Sequence, residues 1–338
     1  MKFKKMKKNI VAIICITYTL ITLTIFFQSK LKEDTIYFIT GFHKDIFGPD
    51  KSGFFNLANV LKERGYNTKV TGSYRIRDLK NAKYIIVFDN HPRKLRRIKK
   101  LPKNKLVLFV WEPPCIMPYN HDKKYLKHFS KVFTFRDDLI DNKKYFKFHY
   151  PRAKAVIKNE IPFDNKKFCS LIISNKSSTH LSEIYTERKK AIIFFEEYAP
   201  QDFDLYGWGW NKDEFKSYRG TSIDKIDTLK NYKFSICFEN SIDIKGYITE
   251  KIFDSFQAGT VPIYLGADNI TDYIPENCFI DKRKFNSYSE LYIYLKTMSK
   301  EEYLTYLENI KDFLNNDKSK VFKKDHLVQT FLQALNIK

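Results

Sequence analysis

Short apolar stretches alternate with longer amphipathic ones along most of this chain. Runs rich in β-branched and aromatic residues predict strands, and apolar positions recurring every three or four residues predict helices. On that basis Thr35–Thr40 predicts a strand and Gly53–Tyr66 a helix, with further strands at Tyr84–Phe88, Lys105–Trp111 and Val132–Phe135. A second series opens near Phe168, with strands at 168–174, 203–207, 234–238 and 261–265 and helices at 180–198, 223–232 and 247–258. Helical patterns over Ser287–Ser299, Lys300–Asn315 and Val321–Leu335 close the chain. Two successive α/β series predict two doubly wound domains facing a cleft, with ligands beyond the C-terminal ends of the strands.

Ahead of these series, Ile10–Phe27 is a run of 18 positions without a charge, long enough to cross a hydrocarbon core. Lys2, Lys4, Lys5, Lys7 and Lys8 precede it. The run is long for a signal-peptide core, and Phe27-Gln28-Ser29 is a poor cleavage site, so an uncleaved transmembrane anchor is expected. The positive-inside tendency would keep the lysines cytoplasmic, while Lys30 and Lys32 on the far side oppose that orientation. The expected organisation is a basic tail over 1–9, the anchor over 10–27, a first α/β domain over 28–160 and a second over 161–338.

The net charge of +21 is concentrated in Arg93–Lys105, RKLRRIKKLPKNK. No zinc spacing, RNA-binding aromatic motif or helix-turn-helix pattern accompanies it, so nucleic acid ranks last as partner and an anionic membrane surface first. The five cysteines, Cys15, Cys115, Cys169, Cys237 and Cys278, show no metal spacing and imply no disulfide framework. Asn175 and Asn269 fit the N-glycosylation pattern, which matters only in a eukaryotic lumen.

The most informative stretch is Phe234–Gly266, FSICFENSIDIKGYITEKIFDSFQAGTVPIYLG. It reads as strand, polar loop, helix, strand. Tyr247, Glu250 and Lys251 share one face if the helix opens at Tyr247, and Ile248, Ile252 and Phe256 form an apolar stripe on another. A helix N-terminus carries unpaired N–H groups and partial positive charge, a seat for phosphate that Lys251 reinforces. The adjacent Glu250 suits sugar or ribose hydroxyls. Glu239 and Asn240 end the preceding strand, where ligand contacts are expected.

FEN, followed by Gly-Tyr-x-Thr-Glu-Lys-Ile and Ala-Gly-Thr-Val-Pro-Ile-Tyr-x-Gly, closely resembles the donor-binding signature of the α-1,3-fucosyltransferases of glycosyltransferase family 10, inverting enzymes that use GDP-fucose. The resemblance implies a GT-B fold, two Rossmann-like domains around a cleft, and a donor site containing Asn240, Tyr247, Glu250 and Lys251. It adds Arg188 as a diphosphate ligand, downstream of the Ser174-Asn175 segment, and a D-x-Y-G-x-G turn at Asp204–Gly209. Asn175, Tyr206, Gly207 and Glu239 are further donor-side candidates.

Inverting transfer needs one base for the acceptor hydroxyl and positive groups for the departing diphosphate. Glu112, in Trp111-Glu-Pro-Pro-Cys, ends an apolar strand before two prolines force a loop, so its carboxylate is placed at the crevice; the family also sets its base in such a loop. A loop-bracing glutamate is the competing reading. Asp202-Phe203-Asp204 spells a metal-binding DxD, yet it enters a strand instead of closing one, and no resident metal is expected although divalent stimulation stays open. The expected activity is transfer of L-fucose from GDP-fucose to a glycan hydroxyl, α-1,3 to a GlcNAc-like or glucose-like residue. The rivals are another GDP-sugar and a non-catalytic membrane-tethered polybasic protein. Expected partners are the donor, a glycan and a membrane met through 10–27 and Arg93–Lys105; the site would be Golgi-lumenal in a eukaryote and inner-membrane-associated in a bacterium.

Overall fold

The computed structural model describes residues 15–24, 34–41, 48, 53–158 and 161–338. Six strands, β1 (Thr35–Ile39), β2 (Asn67–Thr71), β3 (Tyr84–Phe88), β4 (Leu106–Phe109), β5 (Lys131–Thr134) and β6 (Tyr145–Lys147), form one parallel sheet in the order β2-β1-β3-β4-β5-β6. Five more, β7 (Lys167–Ile172), β8 (Phe203–Tyr206), β9 (Tyr232–Phe238), β10 (Val261–Leu265) and β11 (Ile280–Asp281), form a second parallel sheet in the order β11-β10-β9-β7-β8. Strand order reverses between β1 and β3 in the first sheet and between β7 and β9 in the second. A crevice opens outside the strand C-termini at each reversal, because successive crossovers leave on opposite faces.

The expected two α/β series are present, and central strands such as β10 are buried along their whole length, as a sheet covered on both faces requires. The strand β2, Asn67–Thr71, was not expected. Its sequence NTKVT is largely polar because it is an edge strand with no buried residue, which removes the apolar signal. The short β6 and β11 were missed for want of length, while Arg93–Lys105 resolves into a helix over Pro92–Ile98 and a single 3₁₀ turn.

Each sheet has its own apolar core. The last helix, Lys324–Ala334, leaves the second sheet and completes the first core with Leu327, Val328 and Phe331. The Phe331 ring stacks on Phe133 at 5.4 Å, so the polypeptide crosses between the units twice and 161–338 does not pack as a single unit. Residues 15–24 are helical, while the rest of Ile10–Phe27 lies outside the described residues. Among the described residues no helix is long and apolar enough to cross a membrane.

Candidate functional site

The crevice of the second sheet is built around Arg188. Helix Tyr185–Tyr198 packs on the sheet through Ala191, Ile192 and Phe195, and Arg188 lies on that same face at the helical spacing, so its guanidinium is driven inward while Lys189 and Lys190 stay exposed. Arg188 is 2% exposed. Its Nη2 donates to the Phe238 and Glu239 carbonyls at 2.7 and 2.5 Å and to Asn240 Oδ1 at 2.9 Å. Nε and Nη1 are buried without a hydrogen-bond partner among the described residues. A buried guanidinium edge with no acceptor is costly, and a ligand oxygen is the simplest remedy.

Beside it, helix Glu250–Gln257 points its N-terminus into the crevice. Thr249 supplies no side-chain cap; the capping acceptor comes instead from Glu239, which is wholly buried. Glu239 Oε1 accepts from the Thr249 N–H at 2.8 Å, and Oε2 accepts from Thr249 Oγ1 at 2.7 Å and Lys251 Nζ at 2.9 Å. Glu239 therefore fixes the turn and the lysine, and a ligand in the crevice would meet Lys251 and not Glu239. Glu250 keeps 26% of its side chain exposed and lies 3.7 Å from Lys251 Nζ. Burial works to raise the Glu250 carboxyl, but Lys251, Lys225 and Arg152 outweigh it and hold it below the usual carboxylate range. Burial likewise works against the Lys251 ammonium, and Glu239 and Glu250 reverse it, raising its pKa. Both groups stay charged at neutral pH. A cavity of about 770 Å³ opens alongside, lined by Arg152, Lys225, Glu250 and Asp254 among others.

Tyr247 differs from expectation. The helix begins at Glu250, so Tyr247 is not on its first turn; its ring is 1% exposed and packs 4.6 Å from Phe135 in the core of the first sheet. The apolar stripe Ile248, Ile252 and Phe256 is buried as expected.

The first sheet contributes Glu112. After β4 the backbone N–H groups of Trp111 and Glu112 both donate to Asp89 Oδ1, at 2.8 and 3.1 Å, and Asn120 Nδ2 reaches the same oxygen. Asp89 itself adopts φ 49°, a left-handed geometry suited to a short polar side chain. The Glu112 carbonyl meets His121 Nε2 at 3.0 Å. Main-chain bonds thus hold the loop, and the Glu112 side chain on it is half-buried. Cys115 closes the gap between the units: it meets the Asn240 carbonyl at 3.3 Å and Ser241 Oγ at 3.1 Å, while its own carbonyl accepts from Ser178. A lone half-buried cysteine gives no sequence signal for this, and neither Thr249 nor Cys115 was foreseen.

Tyr206 ends β8, Gly207 follows it, and Asn175 lies in the segment after the neighbouring strand β7. Asn175 donates to the Gly209 carbonyl at 3.1 Å, and Gly207, at φ 131°, lies so close to Ile173 that an added Cβ would meet its carbonyl oxygen at 1.9 Å. Tyr206 hydrogen-bonds Tyr232, which donates to Asp204. These contacts hold together the segments that follow β7 and β8. Asp202 and Asp204 lie at the start of β8, the opposite end of the sheet from Asn240, and are engaged by Lys296 and by Lys167 and Arg219. Among the described residues no group of three or more His, Cys, Asp or Glu side chains could hold a metal.

The family model described as glycosyltransferase family 10 (fucosyltransferase), C-terminal part, matches residues 162–333. The mouse 4-galactosyl-N-acetylglucosaminide 3-alpha-L-fucosyltransferase 9 is 36% identical over 162 residues, 46% of this chain and 40% of that protein. An Arabidopsis alpha-(1,4)-fucosyltransferase is 41% identical over 70 residues, 21% of this chain and 17% of its own. The matched stretch thus spans less than half the length of these curated relatives. In fold, a crystal structure of an alpha1,3-fucosyltransferase with GDP superposes with a TM-score of 0.57 at 16% identity, covering 89% of this chain and 90% of that one. A DNA-modifying beta-glucosyltransferase does so with 0.57 at 14% identity over 89% and 99%. The fold is GT-B-like, and, with the family match covering half of the chain and centred on the Arg188–Lys251 crevice, this protein belongs to glycosyltransferase family 10, the fucosyltransferase family.

Proposed function

We propose that this protein moves L-fucose from GDP-fucose to a hydroxyl of a glycan acceptor with inversion, forming an α-1,3 linkage to a GlcNAc-like or glucose-like residue. The observation that carries the reading is the Arg188 guanidinium, buried at the β7/β9 crevice with two nitrogens unpaired, beside Lys251 at a helix N-terminus. A diphosphate supplies the missing acceptors in the geometry an arginine fork requires. Asn240 orients the guanidinium, and the ionised Glu250 accepts from sugar or ribose hydroxyls. Tyr247 acts from its buried position by holding the polypeptide that leads into the helix. Asn175, Tyr206, Gly207 and Glu239 support the donor site from behind it.

In the reaction the acceptor oxygen attacks the anomeric carbon as the bond to the diphosphate oxygen breaks on the opposite face. The hydroxyl proton passes to Glu112, and the charge gathering on GDP is met by Arg188, Lys251 and the helix N-terminus. Residues 10–27 tether the catalytic units to a membrane. The experiment is nucleotide-sugar turnover by the full chain with GDP-fucose, GDP-mannose, UDP-galactose and UDP-GlcNAc and a panel of glycan acceptors. Turnover from GDP-fucose, with Glu112→Gln lowering kcat by about 100-fold or more, is the expected outcome. Turnover from a different GDP-sugar moves the assignment to that donor, and a folded protein that binds none of them overturns it.

A further inference from the structure

The first sheet carries a second built feature that the donor site does not use. Between the turn of helix at Ile76–Leu79 and the helix Pro92–Ile98 lies an open groove of about 700 Å³ lined by Arg75, Arg77, Arg96, Arg97 and Lys100. Arg77 has one carboxylate neighbour, Asp78 at 3.5 Å, with both side chains largely exposed; the other four cations have no ion-pair partner among the described residues. Such a concentration of positive charge is unfavourable to assemble without anions to meet it.

Charge alone would describe a solvated face. One lining residue is different. Tyr74 is 6% exposed, and its buried hydroxyl has no hydrogen-bond partner among the described residues. Its ring lies beneath Lys94, whose Nζ is 5.2 Å from the ring centroid. Burial, and then the field of Asp89, raise the Tyr74 pKa, so the phenol remains a proton donor without an acceptor. Two strand ends hold more such side chains: Thr40 Oγ1 and both polar atoms of the Asn90 side chain are buried and unpaired among the described residues. Thr40 follows β1 and Asn90 follows β3, the two strands that flank the reversal in strand order where an open α/β sheet takes its ligand.

Asp89 ties this edge to the Glu112 loop: it fixes that loop through two main-chain N–H groups, and the helix Pro92–Ile98 that walls the groove begins three residues further along the chain. The groove's helix and the Glu112 loop thus both follow the C-terminal ends of adjacent strands, β3 and β4.

We propose that this groove binds an anionic group on the acceptor, a carboxylate, sulfate or phosphate, so that the enzyme prefers negatively charged glycans. The inference rests on the transferase reading above for the word acceptor, but the binding site stands on its own geometry. Arginine forks grip such oxyanions in paired hydrogen bonds, and Tyr74, which lines the groove, carries a phenol proton for which the described residues offer no acceptor. A groove between two helices suits a compact anionic group better than the plane of a lipid bilayer.

The test uses the full chain with matched acceptors: N-acetyllactosamine and its sialylated, sulfated and phosphorylated forms. At least one anionic form is expected to show a kcat/KM about ten-fold above the neutral one, with the ratio falling as salt is raised and collapsing in an Arg75→Gln/Arg96→Gln/Arg97→Gln variant. Tyr74→Phe, checked for folding by its melting curve, is expected to lower the same ratio. Calorimetric titration of the acidic oligosaccharides without donor reads the groove directly, so binding that disappears in the triple variant supports it even if no fucose is transferred. No preference and no binding for any of the three anionic forms overturns the proposal. So does a triple variant that loses adhesion to phosphatidylserine vesicles while its acceptor ratio stays unchanged, since the groove would then serve a membrane surface.

Discussion

Arg188 shows how a residue's chemistry is set by its neighbours and not by its type. In sequence it sits in TERKKAI, a run that reads as a solvated basic face. Helical spacing places Arg188 alone on the packed side with Ala191, Ile192 and Phe195, and two of its nitrogens are then left without partners. A buried charge of this kind adds little to stability by itself, and the role proposed for Arg188 is to meet a ligand. Arg188→Met removes a costly buried charge but leaves the Phe238 and Glu239 carbonyls and Asn240 Oδ1 short of a donor, so the unliganded protein is expected to lose about 1–3 kcal/mol of stability. The same variant should lose the stabilisation that saturating GDP confers, about 2.7 kcal/mol at a hundred times Kd. Thermal melting with and without GDP checks both halves, and a GDP response that survives in Arg188→Met contradicts the role given to this side chain. The pairing of Glu250 with Lys251 was legible in the sequence, because two adjacent residues at a helix start can be read off it; the partnership of Lys251 with Glu239 was not, because it spans a loop.

At the scale of elements, the helix Glu250–Gln257 depends on a carboxylate from another segment. Glu239 takes the Thr249 N–H, the Thr249 hydroxyl and the Lys251 ammonium at once, all out of water. Removing its charge leaves Lys251 short of a partner, so Glu239→Gln should destabilise the protein by about 3 kcal/mol or more and raise the KM for the nucleotide sugar. Urea denaturation and donor titration measure the two effects. The turn after β8 is set by close backbone approach: Gly207→Ala would drive a Cβ into the Ile173 carbonyl, at a φ that L-residues avoid. The expected result is a loss of several kcal/mol, seen as a large drop in melting temperature; an alanine variant as stable as the wild type would show that the β7 and β8 ends separate freely. Central strands were legible because a buried parallel strand must be apolar throughout, as at Val261–Leu265. The edge strand Asn67–Thr71 was not, since an element that buries nothing leaves no apolar pattern to find.

The two units meet through contacts that no local pattern encodes. His149 is 9% exposed, and packs edge-on against Phe322 at 5.0 Å and Tyr273 at 5.3 Å, with His326 at 5.8 Å. Burial, then Lys147 and His326, lower its pKa well below the ordinary 6.5. The unfolded chain therefore takes up a proton near pH 6.5 that the folded protein refuses. Stability from this group is complete above that pH and is lost as pH falls below it, with a slope of up to about 1.4 kcal/mol per pH unit. Denaturation midpoints between neutral pH and about pH 5 should show a shallower acid loss in His149→Phe than in the wild type, the remainder coming from groups such as His121, which burial pushes down to about 4. Equal slopes in the two proteins would mean that His149 is protonated in the fold. The sequence by itself determined the α/β alternation, the strand–loop–helix–strand course of Phe234–Gly266 and the place of Glu112 in a loop after β4, because hydrophobic period and the residues that end a strand are local properties. Tertiary structure alone decided that Tyr247 packs into the first core, that the last helix returns to that core, and that Tyr74 and the arginines around it share one groove. Each of these depends on which distant surfaces meet, and the free energy of burying them together is written in no single stretch of the chain.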